Sequence, residues 1–214
     1  MESMDLMVFD FDGTLVNSGY DIAASVKYVL KELGLPDMGT GMILSFIGDG
    51  VQTLLEKSIG KDFSERAGEA MELFSAHYAK HMLDTTSLYD SVIDVLNHFQ
   101  EKKKIIITNK RINYTLEMAK TLGITELFED IIGADSTPYK KPDSRLLYPF
   151  LDKFRAKADK TIVIGDGIND ILLAKHTGAL SCALLKGLTP RDTLMSLNPD
   201  FYCEDISELK NIFR

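Results

Sequence analysis

The order in which short apolar runs and helical stretches succeed one another constrains this 214-residue chain more than any other feature. Leu6-Met7-Val8-Phe9 is a brief apolar run that stops at Asp10, and Gly13 breaks the chain just beyond it. That is the pattern of a buried strand running into a loop. Comparable runs return only after residue 100, at Ile105-Ile106-Ile107-Thr108, Ile131-Ile132-Gly133, residues 161–164 and residues 181–185. Helical spacing is predicted between them: at 91–100 with Asp90 as N-cap, at 113–122 closed by Gly123, at 143–154 despite Pro149, and at 168–177 closed by Gly178. Strands that alternate with helices need crossover connections. The expected core is therefore α/β: a mostly parallel sheet with helices on both faces.

One stretch breaks the alternation. Residues 18–33 place Ile22, Val26, Val29, Leu30 and Leu33 at helical spacing, with Ser18 to Asp21 as a candidate capping box and Gly34 and Pro36 closing the segment. Leu44, Ile47, Val51, Leu54, Leu55 and Ile59 follow, interrupted by Gly48-Asp49-Gly50, and then Ala67, Met71, Phe74 and Tyr78 within 64–82. No strand is expected between Thr14 and Leu88. This predicts a helical domain at 16–84 inserted into a sheet domain made of 1–15 and 85–214. No internal repeat interrupts either.

A net charge of −8 argues against general attraction to nucleic acid or an anionic membrane, so neither is expected as a partner. An anionic substrate would need local help from a metal, a lysine or aimed backbone N–H groups. No apolar run approaches the roughly 18 residues that span a bilayer, and the first residues lack the basic region of a secretory signal. Cys182 and Cys203 have neither redox nor zinc spacing. A cytoplasmic protein is expected.

In an open parallel sheet, ligands bind beyond the carboxyl ends of the strands. Four polar clusters fall there or in adjacent loops: Asp10-Phe11-Asp12-Gly13-Thr14, Thr108-Asn109-Lys110, Lys140-Lys141-Pro142 and Gly165-Asp166-Gly167-Ile168-Asn169-Asp170. Their convergence is a stronger signal than any one of them. Two carboxylates two residues apart can divide labour: one attacks phosphorus and holds a cation, and the other gives a proton to the leaving oxygen. Gly13 lets the backbone approach a phosphate. A calcium loop of the familiar type would need glycine where Leu15 stands. Asp166 and Asp170 offer the hard oxygens that Mg²⁺ prefers. Thr108 and Asn109 offer donors to phosphoryl oxygens, and Lys141 a point charge.

Other features read as structural. His77 and His81 share the i, i+4 spacing of a metal pair, but no third ligand is evident and the intervening residues lack the glutamate of a zinc protease helix. Lys102-Lys103-Lys104 reads as a solvated run guarding an apolar strand. Gly48-Asp49-Gly50 is equally an N-cap turn or a loop closing over the site.

The four clusters, in this order, resemble the haloacid dehalogenase-like hydrolase superfamily, and the resemblance covers essentially the whole chain. Asp-x-Asp-Gly-Thr after an apolar strand is similar to its first motif, and Gly165-Asp166 through Asp170, followed by Ala174 and Gly178, to its fourth. An insertion right after the first motif resembles the C1 type of cap. The resemblance implies a Rossmann-like core, a mobile helical cap and a Mg²⁺-dependent phosphatase acting on a small phosphorylated metabolite, as monomer or homodimer. It implies Asp10 as nucleophile and Asp12 as general acid and then base. Thr108 and Lys141 would stabilise the phosphoryl group, with Asn109 nearby. Mg²⁺ would be held by Asp10, the main-chain carbonyl of Asp12, and Asp166, with Asp170 directly or through water. Substrate contacts are expected from Gly13, Thr14, Gly48, Asp49 and Gly50. Thr108-Asn109-Lys110 and Ile47-Gly48-Asp49-Gly50 look most like phosphoglycolate phosphatase-type members, although Lys141-Pro142-Asp143-Ser144 lacks the second proline many of them carry.

The nearest alternative is a sugar-phosphate mutase of the β-phosphoglucomutase type; a non-catalytic phospho-ligand sensor is another. A phosphonate hydrolase would need a Schiff-base lysine that Lys27, Lys31 and Lys57 do not obviously supply. A dehalogenase would not need Asp12 as proton donor. A signalling receiver would carry its acceptor aspartate after a later strand, where Ile107-Thr108 offers none.

Overall fold

The structure is a computed structural model and describes residues 2–214. In chain order the elements are β1 (Leu6–Phe9), β2 (Val16–Asn17), α1 (Gly19–Glu32), α2 (Thr40–Leu44), α3 (Val51–Ile59), α4 (Phe63–His81) and β3 (Ser87–Leu88). There follow α5 (Val92–His98), β4 (Lys103–Ile107), α6 (Ile112–Thr121), β5 (Asp130–Ile132), α7 (Tyr148–Phe154), β6 (Thr161–Gly165), α8 (Ile168–Thr177), β7 (Leu180–Leu184), α9 (Arg191–Ser196), β8 (Phe201–Cys203) and α10 (Leu209–Ile212).

Six strands form one sheet in the order β5-β4-β1-β6-β7-β8, every neighbouring pair parallel. The fold is thus the α/β, Rossmann-like arrangement that the alternation predicts. Strands of such a sheet are covered on both faces and so read as continuous apolar runs. Alternation then sorts their side chains. Met7, Phe9, Ile106, Ile162 and Ile164 pack into one core, while Leu6, Val8, Ile105, Ile107 and Val163 pack into the other. β1 lies centrally, Phe9 aligned with Ile106 on one side and Ile164 on the other. The chain therefore leaves β1, β4 and β6 side by side at one edge.

Helices α1 to α4 pack on one another above that edge, α1 against α4 most extensively. Contrary to the sequence reading, strands do occur between Thr14 and Leu88. β2 and β3 form an antiparallel ribbon, Val16 aligned with Leu88, which joins the outgoing and returning chains at the base of the helices. The capping box expected at the start of α1 is absent. The Ser18 hydroxyl donates to Asp12 Oδ1 at 2.5 Å, and Asp21 instead accepts from the N–H and hydroxyl groups of Thr85 and Thr86.

Three further expectations are corrected. Ser91, at φ 66°, stands at the N-cap of α5 in place of Asp90. The helix expected at 143–154 is a 3₁₀ turn, Ser144–Leu146, followed by α7, with Pro149 in the first turn of α7, where its missing N–H costs nothing. Lys104 is buried and donates to the Phe99 carbonyl at 2.6 Å, so the lysine run is not wholly solvated. β8, short and unheralded in the sequence, adds the sixth strand beside β7. No helix among the described residues is long and apolar enough to cross a membrane.

Candidate active site

All four polar clusters meet beyond the carboxyl ends of β1, β4 and β6. Asp10 continues the β1 ladder, its N–H donating to the Ile164 carbonyl at 2.9 Å. Phe11 is fully buried, and the carboxylates on either side of it, Asp10 and Asp12, line the cavity. The chain then turns sharply, with Leu15 N–H and Val16 N–H both donating to the Phe11 carbonyl. Gly13 is required at that turn: its φ is +82°, and a Cβ there would stand 2.2 Å from Asp166 Oδ2.

Asp166 and Asp170 come from the end of β6 and the first turn of α8. Thr14 Oγ1 donates to Asp166 Oδ1 at 2.8 Å and accepts from the Asp166 N–H at 3.1 Å; Leu188 N–H donates to Asp166 Oδ2 at 2.7 Å. Thr14, buried, thus serves Asp166 and not the cavity. Carboxylate oxygens of Asp10, Asp166 and Asp170 lie within 4.8 Å of one another, and among the described residues this is the group that could hold a metal ion. Lys141 Nζ stands among them, 2.7 Å from Asp10 Oδ1 and 2.6 Å from Asp170 Oδ1. Burial disfavours the Lys141 charge, but Asp10 and Asp170 outweigh it and raise its pKa. Burial, with Asp10 beside it, pushes Asp166 up to about 7, and burial and Asp10 raise Asp170 likewise. Two buried carboxylates and the half-buried Asp10, crowded around one ammonium, form a hard-oxygen set that suits a divalent cation.

Thr108 is buried and lines the cavity, and its Oγ1 accepts from Lys110 N–H at 3.2 Å. Asn109 acts as a brace. Its Oδ1 accepts from Lys141 N–H at 2.9 Å, while its Nδ2 donates to the carbonyls of Gly48 at 2.9 Å and Lys141 at 3.2 Å. Gly48 and Gly50 line the cavity. Asp49 faces Asn169 Nδ2 at 2.9 Å and Lys57 Nζ at 3.0 Å. Burial would raise Asp49, but these donors hold it below the usual carboxylate value. Of the two readings of Gly48-Asp49-Gly50, the contacts with Asn109 and Asn169 match the loop that closes over the site, while Gly50 also stands at the N-cap of α3.

Sequence reasoning missed two participants. Lys110 Nζ reaches Asp12 Oδ1 at 3.0 Å and Oδ2 at 3.2 Å, and donates to the Tyr78 hydroxyl at 2.6 Å. Burial opposes the Lys110 charge, but Asp12 outweighs it and raises the pKa. Tyr78, on α4, is 1% exposed, and burial pushes its hydroxyl up to about 12. Its place on an apolar helical stripe gave no polar signal; Lys110, third in Thr-Asn-Lys, was the nearest to one. His77 and His81 stack at 4.3 Å on the outer part of α4, tied to Ser25 and Asp84, and play no part in the site.

Ile22, Ile47, Val51, Leu54 and Phe74 from the segment of α1 to α4, with Tyr114, Leu188 and Thr189 from the other side, line a cavity of about 70 Å³ beside Asp10 and Asp12.

Known proteins resemble this chain over most of its length. Residues 7–184 match the family described as haloacid dehalogenase-like hydrolase. The phosphoglycolate phosphatase of Vibrio parahaemolyticus is 30% identical over 99% of this chain and 96% of its own. That of Mannheimia succiniciproducens is 32% identical over 97% of each. Among solved structures, one described as a predicted phosphoglycolate phosphatase from Haemophilus somnus superposes with a TM-score of 0.91 at 25% identity, covering 98% of this chain and 97% of that one. The chain belongs to the haloacid dehalogenase-like hydrolases, with phosphatases as its named relatives.

Proposed function

We propose that the chain is a Mg²⁺-dependent phosphatase that hydrolyses a small phosphomonoester, of the phosphoglycolate kind, through an aspartyl-phosphate on Asp10. The observation that carries this reading is the convergence of Asp10, Asp12, Thr108, Lys141 and the pair Asp166 and Asp170 at one sheet edge.

A bound Mg²⁺ would be held by Asp10, Asp166, Asp170 and the Asp12 main-chain carbonyl, and would neutralise charge between the nucleophile and the phosphoryl oxygens. Asp10 attacks phosphorus; the P–O bond to the leaving group breaks, and Asp12 gives that oxygen its proton. Asp12, now a carboxylate, takes a proton from water. The water oxygen attacks phosphorus, the acyl-phosphate bond breaks, and inorganic phosphate leaves with Asp10 restored. Throughout, Lys141 offers its ammonium and Thr108 its hydroxyl to the transferring group, where charge-assisted bonds are strongest. Asn109 keeps the Lys141 backbone in place from both sides.

The test is phosphate release from a panel of small esters, with Mg²⁺ or EDTA, for wild type and Asp10→Asn. Turnover that needs Mg²⁺ and disappears in the variant is expected. Release unaffected by Asp10→Asn would overturn the mechanism, and accumulation of a bisphosphate in place of free phosphate would make the chain a mutase.

A further inference from the structure

Asp166 and Asp170 are each braced by a residue that the helical insert touches. The first junction is polar. Asn169 stands directly before Asp170 in the first turn of α8, and its Nδ2 donates to Asp49 Oδ1 at 2.9 Å and to the Gly48 carbonyl at 3.3 Å. The Asp49 carboxylate is thus divided: Oδ1 accepts from Asn169, while Oδ2 accepts from Lys57 Nζ of α3 at 3.0 Å. Lys140, which adjoins Lys141, donates to the Asp49 carbonyl at 3.4 Å. The second junction is apolar. Leu188, in the loop after β7, gives its N–H to Asp166 Oδ2 at 2.7 Å. Its side chain meets the first residue of α1. A carbon added to Gly19 would stand 3.1 Å from a Leu188 methyl and 2.7 Å from a Leu44 methyl of α2, so both methyls crowd one face of that glycine. Residues that support a metal ligand fix its orientation, and their loss lowers metal affinity.

We propose that Asn169 and Leu188 are positioning residues that couple the insert to the metal centre, so that Mg²⁺ binding and the docking of residues 40–50 on the sheet strengthen each other. The inference rests on the phosphatase reading above for the identity of the metal, and adds to it a control on the affinity for that metal. Docking of the insert fixes Asn169 and Leu188. With them it fixes the first turn of α8, which carries Asp170, and the N–H that Asp166 accepts. A cluster already ordered in this way loses less freedom when a cation arrives. By linkage, the factor by which docking raises Mg²⁺ affinity equals the factor by which Mg²⁺ favours docking. Asp49, Asn169, Leu44 and Leu188 are all half-buried, which sets that factor at about five- to tenfold, the low end for coupled sites.

The experiment is calorimetric titration of Mg²⁺, with no ester present. It is run on wild type, Asp49→Ala, Asn169→Ala, Leu44→Ala and Leu188→Ala, and on the pairs Asp49→Ala with Asn169→Ala and Leu44→Ala with Leu188→Ala. Hydrogen exchange of residues 40–50 is followed on the same proteins with and without Mg²⁺. The Mg²⁺ Kd is expected to rise about five- to tenfold in Asp49→Ala and in Leu44→Ala. Each pair is expected to bind no more weakly than its weaker single variant, because the two residues act through one contact. Mg²⁺ should slow exchange in residues 40–50 of wild type by a similar factor, and by less in Asn169→Ala and Leu188→Ala. An unchanged Kd in both insert variants, losses that simply add within the pairs, or exchange indifferent to Mg²⁺ overturns the coupling and leaves the phosphatase reading intact. A wild type that binds no Mg²⁺ instead overturns the metal in that reading, and the coupling with it.

Discussion

Asp21→Ala should loosen the joint between the helical insert and the sheet. Asp21 lies in the first turn of α1, is 3% exposed, and accepts from Thr85 N–H at 3.0 Å, Thr86 N–H at 2.9 Å and the two threonine hydroxyls at 2.6 and 2.8 Å. Thr85 and Thr86 immediately precede β3, so one carboxylate clasps the returning chain to the outgoing helix. In the variant the hydroxyls and the N–H of exposed Thr85 can turn to water, whereas the N–H of buried Thr86 loses its acceptor at about 1–3 kcal/mol and the bonds to a charged acceptor are lost with it. The expected loss is therefore about 3–4 kcal/mol, a large share of a typical total stability. For a chain of this size that corresponds to a fall in Tm on the order of 10 °C. Asp21→Asn, which keeps one acceptor oxygen, should fall between wild type and Asp21→Ala.

Urea unfolding from pH 7 down to pH 3 measures it. Burial works against the Asp21 charge, but the Thr85 and Thr86 donors overcome it and hold its pKa below the usual carboxylate value. Its contribution is thus present above the unfolded carboxylate pKa and disappears as pH falls through the lower folded value. The gap between wild type and Asp21→Ala should close toward the acid end. A loss below about 1 kcal/mol at pH 7, or a gap that widens in acid, would refute the reasoning.

Two further substitutions probe the supports of the site. Thr14→Val removes the hydroxyl that both donates to and accepts from Asp166, and should raise the Mg²⁺ concentration for half-maximal activity by about 10–100-fold; an unchanged Mg²⁺ titration would show that Thr14 does not position Asp166. Asn109→Ala frees the Lys141 backbone and the Gly48 carbonyl together, and should lower kcat/KM on the order of 100-fold with retained far-ultraviolet circular dichroism; a change confined to KM would assign Asn109 to insert closure alone.

The sheet was legible because its strands are buried on both faces. Continuous apolar runs such as Ile105-Ile106-Ile107 have no competing explanation. The polar clusters were legible for a related reason, since each sits where such a run stops. β2 and β3 could not be seen: two residues carry no periodicity, and each strand exists only because the other is beside it. Ser18 and Asp21 satisfied the pattern of a local cap, yet both side chains found stronger partners in Asp12 and in Thr85 and Thr86, the latter more than 60 residues away in sequence. Tyr78 illustrates the deepest limit. Spacing placed it correctly on the buried stripe of α4, but only the fold sets its hydroxyl beside a lysine from the end of β4. Lys104 failed in the opposite sense, since an apolar cradle that sequence does not display swallowed a residue usually given to solvent.

The central position of β1 bears on when this enzyme comes into being. The strand that carries Asp10 is among the first parts of the chain to be synthesised, yet its two neighbours are β4 and β6, the second of which ends at Gly165. During translation one edge of the N-terminal strand stays unpaired until β4 emerges about 95 residues later, and the other until β6 emerges about 150 residues later. Partners so distant in sequence make for slow folding and a long exposure of apolar strand edges. The helical insert, whose contacts are mostly local, can form meanwhile and keep the waiting segment short of loose apolar surface. Activity should accordingly appear late and all at once, and nascent chains that stop short of Gly165 should have none.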